Sequence, residues 1–113
     1  MSDVTVLNAP TPIGIEEIRR RAAAVLRAHG ATRAIVIGSY ARGTADAWSD
    51  IDLVVVVPTQ KPFVERPLEL LKVLDALAVP TDLLVYTPEE FESGMARGFG
   101  VFDAIRREGV QIL

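Results

Sequence analysis

From Ile15 onward, apolar residues recur at Ile18, Ala22, Val25 and Leu26, the three-to-four residue spacing of one helix face. This spacing predicts a helix running to about His29. Gly30 fits the position just past its end, where the left-handed conformation is easiest for glycine, and His29 is read as a last-turn residue with a structural role. The pattern changes at Ala34-Ile35-Val36-Ile37, a short β-branched run stopped by Gly38, which suits a buried strand. Ser39 to Gly43 then predicts a brief helical turn, Thr44 to Ser49 a polar loop around Trp48, and Ile51 to Val57 a second strand ended by Pro58.

A loop bearing Pro58, Pro62 and Pro67 leads to a helix with Leu68, Leu71, Leu74 and Ala78 on its inner face, and Leu70 as a further candidate for that face. Pro67 near its start is tolerated in a first helical turn. Asp82 to Tyr86 predicts a third strand. In Thr87-Pro88-Glu89-Glu90 the threonine caps a helix, proline takes the first helical position and Glu90 sits where a capping box needs it. Gly94, Gly98 and Gly100 predict an irregular stretch, followed by a helix from about Val101 to Arg107, a break at Gly109 and a short edge strand from Val110 to Leu113. Pro10 and Pro12 mark the start of the chain as an extended lead-in. The whole predicts an α/β or α+β fold, a small mixed β-sheet flanked by helices, as a single domain over residues 1–113.

Charge narrows the partners. With 12 Lys and Arg against 15 Asp and Glu, the net charge is −3, which argues against direct binding of nucleic acid by phosphate neutralisation. Arg19, Arg20 and Arg21, the nearest approach to a basic cluster, read as the polar face of the first helix. The absence of cysteine excludes disulfides and thiolate metal sites. Met1 to Asn8 lacks the basic and apolar regions of a signal peptide, and the longest apolar runs, such as Leu53 to Val57, span five residues against the roughly 20 that cross a bilayer. The expectation is a cytoplasmic protein that does not enter the membrane.

The segment with chemistry in it is Gly38-Ser39-Tyr40-Ala41-Arg42-Gly43, followed by Ser49-Asp50-Ile51-Asp52-Leu53. Gly38 and Ser39 join a buried strand to a helical start, where backbone N–H groups without intrahelical partners can meet phosphate oxygens. Gly38 permits close approach, Ser39 adds a hydroxyl and Arg42, one turn on, adds positive charge. The side-chain period of two puts Asp50 and Asp52 on one face of the second strand. Two such carboxylates repel each other unless a divalent cation lies between them, and Mg²⁺ is the natural candidate. Asp82 opens the next strand; if that strand is a neighbour, it returns to the same end of the sheet, where a third carboxylate binds a second ion or accepts a proton. Each piece alone has an ordinary explanation: Gly-Ser is a common turn, Asp50 can end a loop and Asp82 can be a turn residue after Pro80. The combination points to a site. Tyr40 and Trp48 flank it in sequence and are read as packing residues.

Gly38-Ser39, ten intervening residues and Asp50-Ile51-Asp52 resemble the signature of the DNA polymerase β-like nucleotidyltransferase superfamily. The resemblance is greatest to its minimal nucleotidyltransferase branch and spans most of the chain, with Asp82 in Thr81-Asp82-Leu83-Leu84-Val85 matching the third carboxylate. It implies that Gly38 and Ser39 hold a nucleoside triphosphate, by family habit ATP. It also implies that Asp50 and Asp52 bind Mg²⁺, in a site of two ions, with Asp82 completing the catalytic set. Many minimal members accompany a small helical HEPN-type toxin and act as its antitoxin by transferring AMP to a tyrosine of that partner. Two alternatives stay open: an antitoxin that neutralises its partner by binding alone, and a small-molecule adenylyltransferase of the aminoglycoside type.

Overall fold

The computed structural model describes residues 11–113. The part of the lead-in that includes Pro10 and the Met1–Asn8 stretch lie outside the described residues.

Helix α1, Ile15–Ala28, buries Ile18, Ala22, Ala23 and Leu26, as its spacing predicts. The three arginines are tied up locally: Arg19 pairs with Glu16, Arg20 with Glu17, and Arg21 with both Glu17 (2.7 Å) and the Leu77 carbonyl (2.6 Å). Arg20 and Arg21 together hold the Glu17 carboxyl down at about 2. A basic face neutralised in this way offers little to a phosphate backbone. His29 ends the helix with its ring Nδ1 2.8 Å from the Val25 carbonyl, a structural contact.

Strand β1 (Arg33–Ile37), the four-residue helix α2 (Ser39–Arg42) and strand β2 (Ile51–Val56) follow. A 3₁₀ segment, Phe63–Leu70, runs into α3, Leu71–Leu77. Strand β3 (Thr81–Tyr86), helices α4 (Pro88–Arg97) and α5 (Val101–Glu108) and strand β4 (Val110–Gln111) complete the chain. The sheet order is β3-β2-β1-β4. β2 runs antiparallel to β1 and parallel to β3, and β4 is the antiparallel edge beside β1. This is a mixed sheet with helices on both faces. One face carries the larger core, where Ile51, Leu53 and Val55 meet Ile18, Leu26, Leu70, Val73 and Leu77. The other packs Ile35, Ile37, Val54 and Val56 against Phe91 of α4 and Ile105 of α5. Among the described residues no helix is long and apolar enough to cross a membrane.

Three expectations are corrected. The buried face of the region after Pro67 is Leu70, Val73 and Leu77, while Leu68 and Leu71 are exposed, Leu74 is half-buried and Ala78 is a left-handed cap. The reason is phase: the chain approaches in a 3₁₀ segment at about 3.0 residues per turn, with Pro67 inside it, so an α-helical phase projected from Pro67 points the wrong residues inward. Gly94, expected to begin an irregular stretch, lies inside α4, which runs on to Arg97. It is needed there because a Cβ would collide with the Phe102 ring, which lies flush against the helix backbone. Trp48 is 84% exposed and is no core residue, whereas Tyr40 is buried as expected. Trp48 sits on a turn held by its own hydrogen bonds: the Asp46 carboxylate accepts from Trp48 N (2.9 Å) and from the Ser49 hydroxyl (3.0 Å).

The predicted capping box of α4 forms in full, and it does a second job. Glu90 accepts from Thr87 N (2.9 Å) while its carboxylate also receives the Arg66 guanidinium (2.5 and 3.2 Å). Arg66 is only 7% exposed and donates further to the Lys61 and Val85 carbonyls. Glu90→Ala therefore removes a cap and leaves a buried cation without its counter-ion. We expect a loss of about 2 kcal/mol, measured as a lower urea midpoint at unchanged slope.

Candidate active site

Strand pairing places Ile37, Asp52 and Asp82 in one row across the sheet, β1 to β2 to β3. Asp52 and Asp82 come from strands separated by a crossover of about two dozen residues, and only the parallel pairing makes them neighbours. The Pro80 carbonyl accepts the Ile51 amide at 2.9 Å, which fixes the start of β2 against the start of β3. Asp50 immediately precedes β2 and is exposed; Asp52 is half-buried; Asp82 is exposed.

Gly38 follows Ile37 and therefore lies next to Asp52. Its backbone, φ 77° and ψ −155°, is a region essentially confined to glycine. A Cβ at this position would sit on the Asp52 carboxylate oxygen Oδ2. The glycine is thus required twice, by its dihedrals and by the carboxylate lying against it. Ser39 opens α2, whose last residue Arg42 returns its amide to the Gly38 carbonyl (3.0 Å), and Gly43 closes the turn in a left-handed cap.

Burial raises the Asp52 pKa, and the charges of Asp82 and Asp50 raise it further, with Arg42 opposing. Asp82 and Asp50 are close enough to penalise the ionisation of Asp52. Among the described residues no three His, Asp or Glu side chains converge tightly enough to hold an ion as they stand. The structure brings Asp52 and Asp82 together as a pair, with Asp50 at the strand's end. Oxygen-only donors that repel one another fit a hard divalent cation such as Mg²⁺, whose charge relieves the repulsion.

The Gly38 amide, expected to be open to an anion, already has an acceptor. Glu108, the last residue of α5, takes it at 2.6 Å, and the same carboxylate holds Arg42 Nη1 at 3.0 and 3.1 Å. The Gly38 bond and the Arg42 charge keep the Glu108 pKa below the ordinary range. Sequence reasoning missed this residue. Glu108 stands 70 positions from Gly38, in a helix whose other acid, Asp103, pairs with Arg107 on the surface, and no local pattern separates the two.

A 310 Å³ cleft lined by Tyr40, Trp48, Ser49 and Pro80 opens beside Asp50. A larger groove of 720 Å³, lined by Phe63, Tyr86, Phe99 and Phe102, lies toward the far end of β3. None of the three aspartates lines it.

The mixed sheet thus ends one strand in a Gly-Ser turn and carries a carboxylate on each of the next two strands in the chain. Residues 17–107 match the nucleotidyltransferase domain family. The chain belongs to that family and is a nucleotidyltransferase. A candidate protein adenylyltransferase of Methanocaldococcus jannaschii is 32% identical over 74 residues, 66% of this chain and 80% of that protein. Among solved structures, a candidate minimal nucleotidyltransferase superposes with a TM-score of 0.59 at 28% identity, over 89% of this chain and 98% of that one. A toxin–antitoxin structure with AMP-PNP superposes with a TM-score of 0.59 at 21% identity, over 88% of this chain and 73% of that one.

Proposed function

We propose that this nucleotidyltransferase is an Mg²⁺-dependent adenylyltransferase. Its acceptor is a hydroxyl on a partner protein, a tyrosine of a helical HEPN-type toxin, and by modifying it the chain acts as antitoxin. The observation that carries the reading is the row Ile37–Asp52–Asp82, with the Gly38 backbone pressed against the Asp52 carboxylate. The M. jannaschii relative, named for protein adenylylation, and the toxin–antitoxin structure with AMP-PNP support the choice of nucleotide and partner class. The net charge of −3 and the internally paired arginines of α1 speak against a nucleic-acid acceptor.

In this reading the turn made by Gly38 and Ser39 holds the triphosphate, Gly38 by the close approach its bare backbone permits while its amide stays on Glu108, and Ser39 by its hydroxyl; Arg42 adds charge through the guanidinium nitrogens that Glu108 does not engage. Asp50, Asp52 and Asp82 would hold Mg²⁺, which when bound offsets negative charge on the phosphates and relieves the carboxylate repulsion. The acceptor oxygen forms a bond to the α-phosphorus, the α–β phosphoanhydride bond breaks and pyrophosphate leaves. Asp82, exposed beside Asp52, takes the hydroxyl proton. The protein's remaining contribution is alignment, since phosphoryl chemistry depends chiefly on positioning and charge.

The test is incubation of the purified chain with Mg²⁺, α-labelled ATP and a helical HEPN-type protein from the same organism, followed by mass measurement of both chains. An AMP-sized increase on the partner, absent with Asp52→Ala, is the expected result. A stable complex without transfer would overturn adenylylation in favour of neutralisation by binding, and transfer to a free small molecule without the partner would favour the aminoglycoside-type alternative.

A further inference from the structure

We propose that Glu108 is a positioning residue for the Gly-Ser turn, bracing both ends of α2 in the geometry that nucleotide binding needs. The proposal rests on the reading that this turn takes the triphosphate.

The brace is built from three contacts and an anchored support. One carboxylate accepts the Gly38 amide at 2.6 Å, at the head of α2, and holds Arg42 Nη1 at 3.0 and 3.1 Å, at its tail. The Glu108 side chain is 13% exposed, unlike an ordinary surface acid. Its backbone cannot drift. Ile105, one turn earlier, is buried against the sheet, and Gly109 N donates to the Ile105 carbonyl at 2.9 Å. Gly109 itself is wedged so closely between the Ile105 carbonyl and the Ile35 side chain that a Cβ would not fit. Val110 then pairs with Val36 of β1, the strand that runs directly into Gly38. Glu108 and Gly38 are therefore mounted on the same rigid frame.

What the brace secures is costly to hold. A backbone at φ 77° and ψ −155° persists only where its surroundings over-determine it, and α2, at four residues, is too short to stabilise itself. Charge-assisted bonds from a nearly enclosed carboxylate are the strongest restraint available to such a turn. Because Asp52 Oδ2 lies against Gly38, holding the glycine also holds that carboxylate. Arg42 is engaged through Nη1 alone, so the brace orients the guanidinium and leaves its other donors for an anion. The opposite role, a carboxylate plug that must leave before phosphate enters, would require breaking a rigidly supported contact with every nucleotide bound.

Two measurements on the full chain separate these roles. Hydrogen exchange of the Gly38 amide, followed by ¹⁵N NMR without nucleotide, reads the brace itself. Exchange should quicken about tenfold in Glu108→Gln, where a neutral acceptor replaces a charged one, and further in Glu108→Ala. Calorimetric titration with MgATP reads the consequence: affinity about tenfold weaker in Glu108→Gln, in the range seen when supporting contacts are lost, with the melting temperature little changed. Unaltered Gly38 exchange and unaltered affinity in both variants would overturn the proposal, and so would tighter MgATP binding, the signature of a plug. Should wild-type protein itself fail to take up MgATP, the nucleotide reading of the turn fails, and Gly38 exchange alone decides whether Glu108 holds it.

Discussion

Asp52→Asn should abolish nucleotidyl transfer and, in the same stroke, stabilise the metal-free protein at neutral pH. The loss of turnover is expected to be about a thousandfold or more, because the substitution removes charge from the point where both the cation and the phosphates are held. The gain in stability follows from the raised Asp52 pKa, caused first by burial and then by the charges of Asp82 and Asp50. A carboxyl whose folded pKa lies above its unfolded value binds more protons folded than unfolded, so stability falls as pH climbs. The penalty begins near the ordinary carboxylate range and is complete above the raised folded value. Asparagine cannot ionise and escapes it. We expect about 1 kcal/mol at pH 7, the usual scale for relieving a strained functional site, and no gain well below the carboxylate range. Thermal melts at pH 7 and at low pH, with and without Mg²⁺, check this directly. Mg²⁺ should raise the wild-type melting temperature, since a ligand that binds only the folded state stabilises it, and should do little for the variant. A variant that melts below wild type at pH 7 without Mg²⁺ would sink the electrostatic account.

Gly38→Ala is expected to lose activity as thoroughly for a different reason, and to lose stability too. The dihedrals alone cost an alanine about 1–3 kcal/mol. The new Cβ must also push away the Asp52 carboxylate, which lies where the methyl would go. A displacement of about 1 Å at a reacting centre can cost a hundredfold in rate, so turnover should fall by at least about that factor in material that still folds. The paired comparison is diagnostic. Both variants are inactive, but Asp52→Asn melts above wild type and Gly38→Ala below it. If Gly38→Ala kept wild-type turnover, the close packing of turn and carboxylate would have no catalytic meaning.

Much of the architecture was legible in local pattern. The three-to-four spacing of Ile18, Ala22, Val25 and Leu26 placed α1, the β-branched runs placed β1 and β2, and Thr87-Pro88-Glu89-Glu90 placed the start of α4, each within a residue or two. These features are encoded by neighbours along the chain, and the physics that reads them, periodicity and capping, acts over a few residues. The Gly-Ser turn and the Asp-Ile-Asp step were visible for the same reason. Misreadings arose where a local rule was projected beyond its reach: an α-helical phase carried across the 3₁₀ segment at Pro67, an irregular stretch begun at Gly94, an aromatic assumed to pack at Trp48.

What the sequence determined by itself was therefore the set of elements and the identity of the chemical groups. Which groups meet was decided only in three dimensions. Asp82 becomes the neighbour of Asp52 because β3 pairs parallel with β2 in one particular register, and a slip of one residue would turn it to the other face. Glu108 reaches Gly38 because β4 lays the end of α5 against β1, across 70 residues of chain. Arg66 is buried because Glu90 and two carbonyls from other segments converge on it. Such contacts come from the packing of whole strands and helices against a shared core, and no repeat, cap or spacing in the linear sequence carries that information.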